Sequence, residues 1–167
     1  MDDPVLGRRS IRKYTREPVP DESVELLLRA AMSAPSAGNE QPWEFVVIRD
    51  RQLLDHIPSV HPYSHMLKEA PLAILVCADL SRKKYEQYWI QDCAAATENI
   101  LVEAAALGLG SVWLGVYPMD TRVEGIRRIL GLPEHVVPFS LVAIGHPAET
   151  KPPADRYDAA RVHCDGW

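Results

Sequence analysis

Cysteine is scarce in this sequence, and the few cysteines are not arranged for disulfide or metal chemistry. The 167 residues contain three, Cys77, Cys93 and Cys164, which lie far apart and form no C-x-x-C pair. An odd, widely spaced set argues against a disulfide framework and favours reduced thiols in the cytoplasm. The six histidines lack the spacing of metal ligands and are interpreted as surface residues. We therefore predict a cytoplasmic protein without a metal site.

Long apolar runs and an excess of positive charge are also missing. The longest purely apolar run falls far short of the ~20 residues that a membrane-spanning helix needs. The chain opens on Met1-Asp2-Asp3, which is acidic where a signal peptide would be basic. The formal net charge of -5 gives no reason to expect a nucleic-acid partner. We therefore expect a globular protein without a membrane or nucleic-acid partner.

Several common catalytic motifs are absent. The sequence has no nucleophile elbow, no Walker loop, and no Ser/His/Asp or Cys/His signature. The glycines of Gly108-Leu109-Gly110 superficially resemble a dinucleotide fingerprint. They follow a predicted helix and precede a predicted strand, whereas the fingerprint needs the opposite order. No side chain is therefore predicted to act as a catalytic acid, base or nucleophile.

Hydrophobic periodicity predicts a single domain, 1–167, of alternating helices and strands. Strands are predicted at 43–48, 72–78, 111–117 and 138–145. Helices are predicted at about 22–33 with Asp21 as N-cap, at 87–109, which is rich in alanine, and at 120–130, where Gly131 ends the helix. Short helical pieces fill 50–70. Such a pattern suits a three-layer α+β or α/β fold, and periodicity leaves the strand order open.

The basic stretch Arg8-Arg9-Ser10-Ile11-Arg12-Lys13 is unusual in an acidic protein. Guanidinium groups present fixed forks of donors that suit a phosphate or a carbonyl-rich ring edge. The stretch therefore indicates an anion site. Taken by itself, a solvated basic turn is the more common explanation.

Three further stretches can serve a ligand. The first, 34–43, combines small residues with the amides of Asn39 and Gln41, which can pair with the imide edge of a heterocycle. The second is the run from Gly108 to Gly115, and the third is the proline-rich segment that carries Lys151 and Arg156. Each has an ordinary alternative: a helix-to-strand loop, a helix end followed by a strand, and a solvent-facing tail.

Together, the four stretches resemble the nitroreductase family of flavoproteins. The motifs are R-R-S-x-R, P-S-x-x-N-x-Q-P-W, G-L-G-S-V-W-L-G and I-G-x-P-A-E with a downstream basic residue, in register over roughly residues 5–158. The resemblance implies an α+β fold of three layers, α/β/α, with a mixed central sheet and a long Ala-rich central helix. It also implies an intertwined homodimer with FMN at the subunit interface.

The resemblance assigns the cofactor-binding residues in three groups. Contacts to the phosphate and the pyrimidine side of FMN are assigned to Arg8, Arg9, Ser10 and Arg12. Contacts from the partner subunit are assigned to Pro35, Ser36, Ala37 and Asn39, with Gln41 close by. Leu114 and Gly115 match the turn whose backbone faces the flavin N5, and Lys151 and Arg156 match phosphate contacts of the tail.

The implied activity is an FMN-dependent NAD(P)H:acceptor oxidoreductase. Hydride would pass through flavin N5 in ping-pong fashion to a nitro-aromatic or quinone-like acceptor, so no catalytic side chain is required. An arginine near N1 and C2=O would stabilise the reduced flavin. The region 50–90 is short compared with larger family members, which leaves the acceptor class open. The alternative is an FMN-binding carrier or sensor with little turnover.

The last residues are predicted to leave their own subunit. Four strands leave exposed sheet edges, and Ala160-Arg161-Val162-His163-Cys164 alternates small or apolar with polar residues, as an edge strand does. The preceding Lys151-Pro152-Pro153 favours an extended chain. We therefore expect the arm 159–167 to pack on the partner as an added strand; a frayed chain end is the alternative.

Overall fold

The computed structural model describes residues 3–82 and 84–167. The helices are α1 Pro4–Gly7, α2 Asp21–Met32, α3 Arg51–His56, α4 Trp89–Ala106 and α5 Asp120–Leu130. The strands are β1 Trp43–Ile48, β2 Leu72–Asp79, β3 Gly110–Gly115 and β4 Val136–Gly145. Short 3-10 turns lie at Ala37–Asn39, Ile57–Ser59, His65–Lys68, Leu80–Arg82 and Ala159–Arg161. The predicted strands and long helices are all present, close to their predicted bounds.

The four strands form one sheet in the order β1-β2-β4-β3, and each neighbouring pair is antiparallel. The mixed sheet expected from the resemblance is therefore wrong for these strands. Parallel pairing among the described residues is limited to an isolated bridge between Ser10 and Ser111, outside the four strands. The reason is topological: the long-range pairing of β2 with β4 sets the strand directions, and periodicity does not encode it.

The predicted three layers are confirmed. Successive side chains of a strand point to opposite faces, and along β2 Leu72, Ile74 and Val76 join one core cluster with α2 and α4. Ala73, Leu75 and Cys77 join a second cluster with α3 and α5 on the other face. Because β2 is buried on both faces, its sequence is continuously apolar rather than alternating.

The Ala-rich helix α4 is central, and buried small residues such as Ala96 and Ala104 let it approach the sheet closely. It begins at Trp89 rather than Gln87. The residues before it form a turn, in which the Glu40 carboxylate accepts hydrogen bonds from the backbone N–H groups of Lys84 and Tyr85. None of the helices that the structure describes has the length and apolar character needed to cross a membrane.

The helix ends confirm one prediction and correct another. Gly131 ends α5 in the left-handed conformation, with φ 64°, which glycine adopts without a steric penalty. Asp21, however, is the first residue of α2 and not its N-cap; Pro20 precedes it with extended backbone. The Asp21 carboxylate instead accepts a hydrogen bond from Arg49, at 2.6 Å. That ion pair with a distant residue takes the oxygen that would have capped the helix.

The segment 154–167 is exposed throughout. Within the single chain, the first residues of this arm do not form the predicted edge strand. Ala159–Arg161 is a 3-10 turn, because the Asp158 carboxylate accepts the Ala160 N–H at 3.0 Å. Trp167 and Tyr157 are exposed to 104% and 79% of their reference areas. The packing of this arm on a partner stays a prediction.

Candidate functional site

The basic N-terminal stretch is fixed to the free edge of β3. The Ile11 N–H donates to the Ser111 carbonyl at 2.9 Å. Farther along, the buried Tyr14 hydroxyl donates to the carbonyls of Ile11, at 2.6 Å, and Ala143, at 3.2 Å. Burial raises the pKa of Tyr14 far above its ordinary range, so the phenol stays protonated as a donor. The arginines before and after Ile11 are thus held at defined positions along the sheet edge.

A basic cavity of about 270 Å³ lies at the start of β3, and Arg8, Arg9 and Lys151 line it. The Lys151 ammonium donates to the Ser10 carbonyl at 2.5 Å, and Arg9 Nε donates to the Pro152 carbonyl at 2.9 Å. These bonds join two of the predicted stretches that are far apart in sequence. Arg156 lines an adjoining cavity together with Arg8 and Arg9. The predicted phosphate-binding side chains are therefore brought together.

Part of this positive charge has no partner among the described residues. Arg9 Nη2 is buried and makes no hydrogen bond there. A buried donor without a partner typically costs ~1–3 kcal/mol, and more if charged. Arg8 has one ion pair, to Glu98 at 3.4 Å. The other Arg9 nitrogens donate to backbone carbonyls, so it is the Nη2 donor beside the cavity that fits an anionic group such as a phosphate.

Glu149 is the acidic residue that organises the same region. Its carboxylate accepts the Arg12 N–H at 2.6 Å and lies 3.5 Å from the Lys151 ammonium. The hydrogen bond from the Arg12 backbone, followed by the charges of Lys151 and Lys13, holds the pKa of Glu149 below its usual range. The ionised carboxylate thus fixes the backbone at Arg12 and leaves the Arg12 side chain free to face a ligand.

A second cavity, of about 410 Å³, lies at the other end of β3. Its lining includes Arg12, Leu114 and Gly115. Arg12 makes no side-chain hydrogen bond or ion pair with the residues that the structure describes. A Cβ placed on Gly115 would meet no atom within 4 Å, so open space lies directly beside this backbone. If a flat ring bound near Leu114 and Gly115, its edge would lie close to the positive charge of the Arg12 guanidinium.

The loop from Pro35 to Gln41 is organised separately. The Ala37 N–H donates to the Asp92 carboxylate at 3.0 Å, and the Gln41 N–H donates to Ser36 Oγ at 3.0 Å. Asn39 Oδ1 accepts from Gln41 Nε2 at 2.9 Å. Among the described residues, neither a hydrogen bond nor an ion pair joins this loop to Arg8–Arg12 or to Lys151, and the loop lines neither of the two cavities.

The loop carries backbone strain. Asn39 and Gln41 have φ of 57° and 51°, in the left-handed region that side chains other than glycine rarely adopt. Such conformations cost of order 1–3 kcal/mol and cluster at ligand sites. Asp92, which holds the loop at Ala37, is itself buried, and burial raises its pKa. The structure therefore keeps the predicted Pro35–Gln41 group in a fixed shape apart from the other site residues.

Sequence reasoning missed two residues of the second cavity, His61 and Arg122. The prediction that the histidines are surface residues is wrong for His61, which is 1% exposed. Its packing depends on contacts with distant β3, so its local sequence carries no signal. Arg122 lies in the first turn of α5 and looks like an ordinary charged helix residue. In the described part of the chain, no group of three or more His, Cys, Asp or Glu is arranged around a metal position.

The sequence matches the model of the Nitroreductase family at residues 5–59 and 55–146. A proposed NADH dehydrogenase/NAD(P)H nitroreductase of Methanothermobacter thermautotrophicus is 52% identical over 163 residues, which cover 98% of this chain and 85% of the relative. Together these matches extend over both cavities and the separate loop.

Solved structures agree with the sequence matches. A proposed NADH oxidase from Clostridium acetobutylicum has a TM-score of 0.96 at 46% identity, over 99% of this chain and 100% of that one. An FMN-dependent nitroreductase from Clostridium difficile has a TM-score of 0.92 at 31% identity, over 100% of both chains. The likeness therefore includes the whole sheet and both helical layers.

Proposed function

The chain belongs to the nitroreductase family, and we propose that it is an FMN-dependent oxidoreductase that oxidises NAD(P)H and reduces nitro-aromatic or quinone-like acceptors. The observation that carries this proposal is the buried, unpartnered Arg9 Nη2 at the basic cavity. The same short segment leads from there to Arg12 and the open space beside Gly115. A phosphate site and a ring site at the two ends of one strand edge suit a single FMN molecule.

The residues present fit this cofactor in two parts. Arg8, Arg9, Lys151 and Arg156 would hold the phosphate, since they line adjoining cavities. Ser10, Arg12, Leu114 and Gly115 would lie along the ring system. The arrangement offers one phosphate-sized basic cluster and no fingerprint for an adenosine half, which favours FMN over FAD.

When bound between these residues, FMN would supply the redox chemistry, namely hydride transfer from NAD(P)H and reduction of an acceptor. The Arg12 guanidinium stabilises negative charge at the pyrimidine edge. The buried thiols do not take part: burial raises the pKa of Cys77 to about 12 and raises that of Cys93 further. The protein therefore binds, orients and supplies charge, and no side chain is assigned as a catalytic acid or base.

We further propose that the working unit is a cytoplasmic homodimer. The loop residues Pro35, Ser36, Ala37, Asn39 and Gln41 would reach the flavin of the partner, which accounts for their distance from the two cavities of their own chain. The exposed arm 159–167 would pack on the partner. The free cysteines, of which Cys77 and Cys93 are buried, are compatible with a reducing compartment.

The test begins with cofactor release from the purified protein by heat, followed by chromatography, and with steady-state oxidation of NAD(P)H in the presence of a quinone or a nitrofuran. We expect FMN and turnover. Absence of flavin after reconstitution, or FAD in its place, would contradict the proposal. Bound FMN without turnover would favour a carrier or sensor instead.

The variant Gly115→Ala tests where the ring binds. The added methyl group meets no protein atom within 4 Å, so the apoprotein should melt at the wild-type temperature. If the ring lies beside Gly115, the methyl occupies its space and FMN affinity falls at least tenfold. An apoprotein of unchanged stability that binds FMN as tightly as the wild type would show that the ring lies elsewhere.

A further inference from the structure

The carbonyl of Gly115 accepts two side-chain hydrogen bonds. His61 Nε2 lies 2.9 Å from this oxygen, and Arg122 Nη1 donates to it at 2.9 Å. Gly115 is the last residue of β3, an edge strand that pairs with β4 on one side only. The two donors therefore set the orientation of the backbone at this residue.

The free N–H of Gly115 points in the same direction as its carbonyl. In an antiparallel strand, the N–H and C=O of one residue share an edge, and the next residue uses the opposite edge. Ser111 uses the free edge, since its carbonyl accepts from Ile11, and Val116 uses the β4 edge, since its N–H donates to Phe139 at 3.1 Å. By this alternation, the Gly115 N–H lies on the free edge, beside the cavity.

His61 is suited to holding the carbonyl in one orientation. Its side chain is buried, and because a carbonyl can only accept, Nε2 carries the proton. Desolvation lowers the pKa of His61 despite the bond to Gly115, and the charge of Arg122 lowers it further. The ring is thus a neutral donor at neutral pH. Its backbone is anchored as well, since Ser64 Oγ donates to the His61 carbonyl at 2.7 Å.

Arg122 reaches the same oxygen from a different element. It lies in the first turn of α5, and its guanidinium stacks over the Tyr63 ring at 5.4 Å from the centroid. Two donors from separate parts of the chain restrict the rotation of the peptide group more strongly than one. A Cβ placed on Gly115 would meet no atom within 4 Å, so the face of the strand at this residue is open to a ligand.

We propose that His61 and Arg122 are positioning residues that hold the backbone of Gly115 through its carbonyl, so that the N–H of the same residue donates to flavin N5. The proposal rests on the proposed function, because it needs FMN in the second cavity. Neither residue touches the reacting atoms. Both act through Gly115, by keeping one backbone donor at a fixed position for the oxidised ring.

The test uses FMN labelled with ¹⁵N at N5, whose NMR shift reports the hydrogen bond at that atom. His61→Leu and Arg122→Met each remove one donor. His61→Gln keeps an N–H near the position of Nε2. Arg128→Met is the matched control, since Arg128 lies exposed on the same helix without a hydrogen bond or ion pair to the described residues.

We expect the N5 resonance to move in His61→Leu and Arg122→Met and the Kd of oxidised FMN to rise about two- to tenfold, as for loss of a neutral hydrogen bond. The rate of flavin reduction should fall with little change in the KM for NAD(P)H. His61→Gln and Arg128→Met should keep the wild-type resonance. If His61→Leu does not fold, Arg122→Met, whose side chain is only partly buried, decides.

An N5 shift and an FMN affinity that are unchanged in folded Arg122→Met, and in His61→Leu where that variant folds, would overturn the proposal while the proposed function stands. A wild-type protein that binds no FMN would instead remove the proposed function and this inference with it. The two failures are therefore distinguishable in one set of samples.

Discussion

The segment Arg8–Arg12 and the loop Ser36–Gln41 are both predicted to bind FMN, yet the fold treats them differently. The segment is attached to the edge of β3 and leaves donors unused beside two cavities, with Arg9 Nη2 the clearest case. The loop makes its hydrogen bonds internally and with the start of α4, although Glu40 Oε2 is buried without a partner among the described residues. Under the proposed function, one chain would carry one half of a site near its own cavities and would offer the other half to its partner.

The strain in the loop sharpens this contrast. Asn39 and Gln41 keep left-handed backbone conformations that the segment Arg8–Arg12 does not need. Burial of Asp92 and the contacts of Glu40 with the turn before α4 hold the loop in this shape. A strained conformation in a loop that lines neither of the two cavities of its own chain is compatible with the proposed ligand site in a second copy.

Removal of residues 159–167 is expected to have the largest effect. If the exposed arm packs on the partner, the truncated protein should become monomeric or aggregate and should lose FMN, because each flavin site needs both subunits. Light scattering coupled to chromatography gives the mass, and the visible absorbance gives the FMN content. A truncated dimer with full flavin occupancy would show that the arm contributes nothing to assembly.

Arg12→Ala removes the Arg12 guanidinium from the half of the site that lies along the free edge of β3. Loss of a charged hydrogen-bond partner typically costs ~1.5–3 kcal/mol, which is about a tenfold to hundredfold increase in the Kd of FMN. Titration of flavin fluorescence measures this Kd. Lys13→Ala, the exposed neighbour, is the control and should bind FMN normally. If Arg12→Ala bound FMN as tightly as Lys13→Ala does, the assignment of Arg12 to the site would be wrong.

Glu149→Gln tests whether the carboxylate stabilises the sheet-edge segment. Because the pKa of Glu149 is lowered in the folded protein, its contribution is present above the ordinary Glu pKa of 4.5 and is lost as the pH falls through the lowered value. The wild type should therefore melt a few degrees above the variant at about pH 7, and the gap should narrow at about pH 3. A gap independent of pH would contradict the electrostatic role.

The cysteines lie outside both halves of the site, and their removal should have the smallest effect. The raised pKa values of Cys77 and Cys93 disfavour the thiolate. A folded variant without the three cysteines should oxidise NAD(P)H at the wild-type rate. Loss of turnover in that variant would contradict this prediction.

The fold was predictable where one residue type or period dominates locally. The continuously apolar β2 and the Ala-rich α4 are recognisable from the sequence because each is packed on more than one side. Features that depend on distant partners were not predictable. The antiparallel strand directions come from the pairing of β2 with β4, and the role of Asp21 comes from Arg49.

The candidate site divides in the same way. The basic stretch and Lys151 were predicted from their charge and motif, and the fold brings them together through the bond from Lys151 to Ser10. His61 was not predicted because its proposed positioning role depends on the carbonyl of Gly115, 54 positions away. A motif search finds side chains that contact a ligand; it does not find those that orient a backbone group.

The most direct test of the central claim, that each flavin site combines the two regions from different subunits, is complementation between two defective variants. Arg12→Ala disables the sheet-edge half, and Asn39→Gly removes the amide of the loop while glycine accepts the φ of 57°. Differently tagged subunits are refolded together and the mixed dimer is isolated. One of its two sites then has both wild-type halves, so the account predicts one tightly bound FMN per mixed dimer and only weakened sites in either parent. A mixed dimer that binds FMN no better than its parents would show that both halves act within one chain, and would contradict the account.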